Sequence, residues 1–324
     1  MKAIVCAEWG GPDKLHLGEL SLPMPARGEV RLRVLAAGVN FPDALIIQKK
    51  YQLQPALPFV PGTEVAGVVD ALGEGVTQPA MGARVVAFVG TGGFAEYVCT
   101  PAITTVPVLA EVPNDVAAGF TLTYATSHHA LFDRGAIKRG ETLLVLGAGG
   151  GVGLAAVELG KLAGARVIAA ASTDEKLAAC HAAGADALVN YSTLDLREAL
   201  KTLTGGKGCD VIYDPVGGGY TEPALRSIAW RGRFLVVGFA NGGIPSIALN
   251  LLLLKGASMI GVFWGDFAKR EPAANAKMIA ELFGWLAAGK LKPLISKAYA
   301  LADAPRAIDD LLHRRAIGKL IVRP

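Results

Sequence analysis

The chain has 324 residues, 52% of them hydrophobic and 19% charged, with 40 Gly and 18 Pro. At about 150 residues per domain this is a two-domain chain with ample apolar material for two cores. No stretch joins low hydrophobicity to a one-sided charge run, which excludes disorder, and a formal charge of +4 on scattered basic residues excludes a dedicated nucleic-acid binder.

The N-terminal stretch Lys2–Val5 is short and broken by Glu8, so no signal peptide is expected. Residues 1 to about 115 read as β-rich. Glu29 to Leu35 alternates charged and apolar side chains, the period of a half-buried strand. Val65–Leu72 and Arg84–Val89 are short β-branched runs punctuated by Gly or Pro. A small barrel or rolled sheet is the expected architecture. Gly119–Phe132 is a helix-length apolar stretch. Beyond it Thr142–Leu146, Arg166–Ala170, Asp186–Val189, Val211–Tyr213 and Arg233–Gly238 are predicted strands alternating with helices, a βαβ series that makes a parallel sheet.

Leu253–Trp264 is expected to add an edge strand. An amphipathic helix follows from about 270, then a break at Pro293, a helix at Ala304–Arg314 and a strand at Lys319–Val322 that can pair back with the first domain. The longest uncharged run, Phe234–Leu254, contains Asn241, Gly242, Gly243, Pro245 and Asn250. It therefore reads as strand, loop and second apolar segment, with no membrane span. Cys6, Cys99, Cys180 and Cys209 lie far apart without CxxC spacing, so neither a structural zinc nor a disulfide framework is expected. A cytoplasmic location is the expectation.

The strongest local signal is the strand Leu143–Leu146 running into glycines at 147, 149, 150, 151 and 153 and then a helix. From Ala148 it reads A-x-G-x-x-G, a near form of the dinucleotide fingerprint. Such a turn lets backbone N–H groups approach a pyrophosphate. The second strand ends at Ala171 without the acidic residue that would accept from an NAD ribose. Ser172 with Glu175 forms a plausible capping box, and Lys176 in the first helical turn opposes the helix dipole, which calls for an anionic partner such as a 2′-phosphate. NADPH is favoured over NADH.

The chain resembles the medium-chain dehydrogenase/reductase superfamily, in its NADPH:quinone oxidoreductase (zeta-crystallin-like) branch, over essentially its whole length. The resemblance rests on 36–43 (AAGVNFPD), 57–67 (LPFVPGTEVAG), 92–97 (GGFAEY), 123–126 (TYAT), the glycine turn, 214–218 (DPVGG) and Gly318-Lys319. It implies a GroES-like β-rich catalytic domain formed by 1–118 and 266–324, and a doubly wound Rossmann domain formed by 119–265. The zinc-dependent alcohol dehydrogenases of the same superfamily carry a Cys where Asn40 stands and a His where Thr63 stands, and their four-cysteine lobe is absent between Val86 and Tyr97. Amide and hydroxyl groups are poor zinc ligands, so no metal is expected.

By the same resemblance Asn40 and Tyr51 line the acceptor pocket, and Thr126 contacts the nicotinamide end. Gly150, Gly151, Val152 and Gly153 lie under the pyrophosphate, and Ser172, Lys176 and Tyr191 surround the 2′-phosphate. Phe239 and Asn241 approach the nicotinamide ribose, and Lys319 the cofactor's far side.

His128 and His129 are adjacent on a helix and point to different faces, so joint metal binding is not expected. Asp43 and Glu64 are expected to hydrogen-bond backbone or basic partners rather than act as an acid/base pair. No G-x-S-x-G elbow supports a hydrolase. The expected activity is reduction of a quinone or related conjugated carbonyl by NADPH held in the interdomain cleft, with Asn40 or Tyr51 donating to the developing enolate oxygen. An enoyl-thioester or alkenal reductase is the alternative, and an NADPH-binding structural or RNA-binding protein a further one. The apolar segments Leu249–Leu254 and Ala257–Trp264 predict a homodimer.

Overall fold

A computed structural model describes residues 1–324. The chain divides into two compact units, Met1–Leu122 with Pro293–Pro324, and Thr123–Lys292.

The first unit begins with β1 (Lys2–Cys6) paired antiparallel to β2 (Leu15–Glu19). Next come β3 (Glu29–Val39), α1 (Phe41–Ile47), β4 (Glu64–Leu72), β5 (Arg84–Phe88), β6 (Tyr97–Pro101) and β7 (Thr105–Pro107). The alternation predicted from Glu29 holds along β3. Val30, Leu32 and Val34 are buried while Arg31 and Arg33 face outward, as the pleat demands. The division between units falls inside α2 (Asn114–His128), which continues as a wider π-helical turn over His129–Arg134.

The second unit contains β8 (Thr142–Leu146), α3 (Gly151–Leu162), β9 (Arg166–Ala171), α4 (Asp174–Ala182), β10 (Ala187–Asn190) and α5 (Leu196–Leu203). It continues with β11 (Cys209–Asp214), α6 (Thr221–Arg226), β12 (Ile228–Val236), α7 (Asn250–Lys255), β13 (Ser258–Gly261), α8 (Trp264–Arg270) and α9 (Pro272–Ala287). Its six strands are all parallel, in the order β10-β9-β8-β11-β12-β13. Counted within the unit this is 3-2-1-4-5-6, the doubly wound arrangement that binds a dinucleotide where the order reverses, here between β8 and β11. Because β8 and β9 have both faces covered, every residue from Leu143 to Leu146 and from Val167 to Ala171 is buried.

The chain then returns to the first unit with β14 (Ile295–Ala300), α10 (Ala304–Leu312) and β15 (Lys319–Arg323). β15 pairs antiparallel with β3, closing a seven-stranded sheet of order β14-β15-β3-β4-β5-β7, with β6 also on β3.

Two expectations change. The return to the first unit comes at Pro293 rather than 266, because α8 and α9 pack into the second unit. There the Trp264 indole N–H donates to Asn275 at 2.9 Å, and the His129 ring stacks on Phe267 with centroids 4.2 Å apart. The segment expected as one strand from Leu253 is the end of α7, a left-handed turn at Gly256 and the short β13.

Candidate cofactor and acceptor sites

In the second unit the buried strand β8 delivers the chain into the glycine turn, and α3 starts directly after Gly150. No side chain caps that helix, so its first N–H groups are the orphan donors that suit an anion. The turn is shaped by close approach. A Cβ on Gly153 would lie 2.4 Å from the Gly147 carbonyl oxygen, whereas one on Gly150 meets nothing nearer than 3.5 Å. The first position needs glycine for packing, and the second leaves an open cradle, so the residues present fit a bound pyrophosphate.

The Lys176 side chain crosses this turn. A Cβ on Gly149 would meet Lys176 Cβ at 2.6 Å and Cγ at 2.8 Å. The structure thus brings Lys176 onto the glycine turn, beside the end of β9. Ser172 follows β9 directly, and the Tyr191 amide donates to the Ala171 carbonyl at 3.1 Å. Ser172, Lys176 and Tyr191 are therefore gathered at one strand end. The expected capping box is not formed. Thr173 is the N-cap, its hydroxyl accepting from the Lys176 amide at 3.3 Å, so the chain enters α4 one residue later and Ser172 takes no part in the cap.

Thr126 is located through its neighbour. The Ser127 hydroxyl, fully buried, donates to the Val152 carbonyl at 2.9 Å and pairs with the Tyr213 hydroxyl at 2.9 Å. That joins α2 to the start of α3 and to β11. Ser127 was not singled out in the sequence, where a serine in an apolar helix carries no signal of partners 25 and 86 residues away. Phe239 and Asn241 follow β12. The Asn241 amide donates to the Val216 carbonyl at 2.8 Å, and a Cβ on Gly218 would lie 2.4 Å from Asn241 Nδ2.

In the first unit Asn40 caps α1 and is 4% exposed. Its Nδ2 donates to the Glu64 carboxylate at 2.9 Å, the Thr63 hydroxyl at 3.2 Å and the Gly38 carbonyl at 3.3 Å. Its Oδ1 accepts from Lys319 Nζ at 2.6 Å. Lys319 Nζ also donates to Glu64 at 2.8 Å and to the Val39 carbonyl at 3.1 Å, so all three of its donors are taken. Its ammonium is thus buried in an ion pair with Glu64 and held by acceptors of the protein itself. It also leaves the Asn40 amide fully engaged within the protein.

Glu64 accepts from the Leu122 amide as well, at 2.9 Å, and Asp43 Oδ2 accepts from the Asn40 amide at 2.8 Å. Asp43 thus serves backbone, and Glu64 both backbone and the basic Lys319. Asp43 is wholly buried and its Oδ1 has no hydrogen-bond partner. Burial pushes its carboxyl up to about 7, against the opposing pull of the Asn40 amide and Lys319, with Glu64 adding to the rise. Tyr51 is half-buried, and its hydroxyl makes no hydrogen bond within the protein. Burial first, and the Asp43 charge second, hold the phenol above its usual range, so it stays a donor at neutral pH.

His128 and His129 turn to separate partners, Glu281 at 3.2 Å and Asp133 at 2.9 Å. The chain contains no group of three or more His, Cys, Asp or Glu side chains able to hold a metal ion, and no helix long and apolar enough to cross a membrane.

Residues 26–110 match the alcohol dehydrogenase GroES-like domain family and residues 151–281 the zinc-binding dehydrogenase family. The chain is 36% identical to a quinone oxidoreductase-like protein 2 homolog of Nematostella vectensis, over 99% of this chain and 88% of that protein. It is 32% identical to the quinone oxidoreductase of Rattus norvegicus, over 99% and 97%. Among solved structures, the Escherichia coli quinone oxidoreductase complexed with NADPH superposes with a TM-score of 0.94 at 31% identity, covering 100% of both chains.

Proposed function

Because the chain belongs to the quinone oxidoreductase family of the medium-chain dehydrogenase/reductase superfamily, we propose that it reduces quinones or related conjugated carbonyls with NADPH, without zinc. The observation that supports the cofactor reading is the stem of Lys176 lying across the glycine turn, a basic side chain that would suit an anionic ribose substituent beyond the pyrophosphate. Bound NADPH supplies the hydride; the protein supplies position and electrostatics.

In the second unit the open turn at Gly150, with Gly151, Val152 and Gly153 opening α3, would take the pyrophosphate. Ser172, Lys176 and Tyr191 would take the 2′-phosphate, and Thr126, Phe239 and Asn241 the nicotinamide end. In the first unit Tyr51 would donate to the oxygen that gains charge as the acceptor is reduced. Its unengaged hydroxyl favours it over Asn40, whose amide is committed to Lys319, Glu64 and Thr63. Zinc independence is supported by the same commitment, since an amide and a hydroxyl 3.2 Å apart occupy the two positions that hold ligands in the zinc enzymes.

A homodimer is supported by the free edge at β13. Leu249, Leu253, Leu254 and Trp230 are each more than two-thirds exposed near that strand, a pattern that a second copy would cover. Four free cysteines fit a cytoplasmic location.

The test is loss of reduced-nicotinamide absorbance on chelator-treated protein, comparing NADPH with NADH, and a small quinone with crotonyl-CoA. NADPH-selective, chelator-insensitive turnover of the quinone is expected. Turnover of the CoA ester alone would assign an enoyl-thioester reductase, and silence with both would refute the proposal.

A further inference from the structure

We propose that Asp214 is a positioning residue for the cofactor, its buried carboxylate setting the loop that orders side chains at both ends of the nucleotide site. The proposal rests on the reading that this unit binds NADPH. Asp214 ends β11 on one side of the point where the strand order reverses and is 3% exposed. Its Oδ1 accepts from the Val216 amide at 2.8 Å and the Gly217 amide at 2.9 Å, and its Oδ2 from the Thr221 hydroxyl at 2.7 Å. One carboxylate therefore fixes the whole turn from Pro215 to the start of α6. Hydrogen bonds donated to a carboxylate are among the strong ones.

That turn is in contact with two groups of predicted cofactor residues. Towards β12 it is zipped to the loop carrying Phe239 and Asn241. The Ala240 amide donates to the Pro215 carbonyl at 3.0 Å, the Asn241 amide to the Val216 carbonyl at 2.8 Å, and the Gly218 amide to the Gly243 carbonyl at 3.0 Å. Gly217 and Gly218 both have positive φ, and a Cβ on them would lie 2.8 Å from the Phe239 ring and 2.4 Å from Asn241 Nδ2. The side chains of Phe239 and Asn241 thus rest on backbone whose path Asp214 dictates. Towards α6 the same turn carries Tyr220, adjacent to the Thr221 that Asp214 binds. The Tyr220 ring packs on Tyr191 with centroids 4.3 Å apart. A side chain that touches no cofactor residue directly holds the supports of both the adenosine-end tyrosine and the nicotinamide-end pair. Outer supports of this kind govern how precisely the inner groups are placed.

The test is a fluorescence titration of NADPH together with steady-state kinetics on wild-type protein, Asp214→Ala, Asp214→Asn and Thr221→Val. Asp214→Ala is expected to weaken NADPH binding roughly tenfold or more, with kcat at saturating NADPH within about threefold of wild type. Asp214→Asn keeps an acceptor for the two amides and is expected to restore binding to within about threefold. Thr221→Val removes one of the three donors and is expected to weaken binding by a smaller factor; it decides the matter if Asp214→Ala does not fold. Unchanged NADPH affinity in Asp214→Ala, or in Thr221→Val where it is the deciding variant, overturns the proposal. So does equal damage from Ala and Asn, or a fall in kcat with affinity intact. A wild-type protein that fails to bind NADPH overturns the cofactor reading itself, which the titration shows before any variant is compared.

Discussion

Asn40 and Lys319 are 279 positions apart in the chain and 2.6 Å apart in the fold. The sequence marked both as functional positions through their motifs, but nothing local to either shows that each satisfies the other. A buried ammonium needs acceptors for all its protons, and that requirement assigns Asn40, Glu64 and the Val39 carbonyl to Lys319. That leaves Tyr51 as the proposed donor to the acceptor. Tyr51→Phe is expected to lower kcat by about a hundredfold, the usual cost of losing one donor to a developing oxyanion, with the KM for NADPH unchanged. Steady-state kinetics against both substrates checks this.

Asp43 offers a second prediction at the same scale. Its native carboxyl is raised to about 7 by burial, with Glu64 adding to the rise and Lys319 and the Asn40 amide opposing it. The folded protein therefore holds a proton there that the unfolded chain, near 3.9, has released. Between those values the folded state binds more protons, so this residue's contribution to stability falls as pH rises from about 4 to about 7 and then levels off. Asp43→Asn removes the titration. The melting temperature of the variant relative to wild type is expected to climb from pH 5 to pH 8, as measured by differential scanning calorimetry.

Among the elements, the strands of the second unit were legible because burial on both faces writes unbroken apolar runs such as Leu143–Leu146 and Val167–Ala171. Their C-terminal ends were harder to read. At the start of α4 both Ser172 and Thr173 can cap, and only backbone geometry decides between them. Thr173, extended at φ −143°, takes the Lys176 amide. Thr173→Ala is expected to cost about 1 kcal/mol, a fall of about 2–4 °C in melting temperature for a domain of this size. Ser172→Ala should leave the melting temperature unchanged and raise the KM for NADPH. The stretch from Leu249 to Trp264 misled for a physical reason. The side chains of Leu249, Leu253, Leu254, Met259 and Phe263 are exposed, so hydrophobicity carried no strand periodicity, and the turn at Gly256 separates α7 from β13.

For the whole molecule, the division into a β-rich unit and a parallel-sheet unit was visible from the change in pattern after about residue 115, but the point of return was not. α8 and α9 look as amphipathic as any linker helix. Their allegiance to the second unit is written in pairings such as His128 with Glu281, 153 residues apart, that no local pattern reveals. The exposed apolar margin beside β13 belongs to this scale as well. Light scattering is expected to give twice the 33.6 kDa chain mass, and Leu253→Lys with Leu254→Lys to give the single-chain mass. A monomeric wild type would remove the homodimer reading and leave the margin to another partner.

The closure of the first sheet by β15 also sets an order of events during synthesis. Residues 123–292 form a contiguous unit and can collapse as soon as they emerge. The first unit is completed only when residues 293–324 follow, since β3 pairs with β15 and Glu64 with the ammonium of Lys319. Closing so long a loop is entropically slow, so for most of its time on the ribosome the nascent chain carries an acidic side chain destined for burial and an open strand edge. Of the two units, the one begun first is the one completed last.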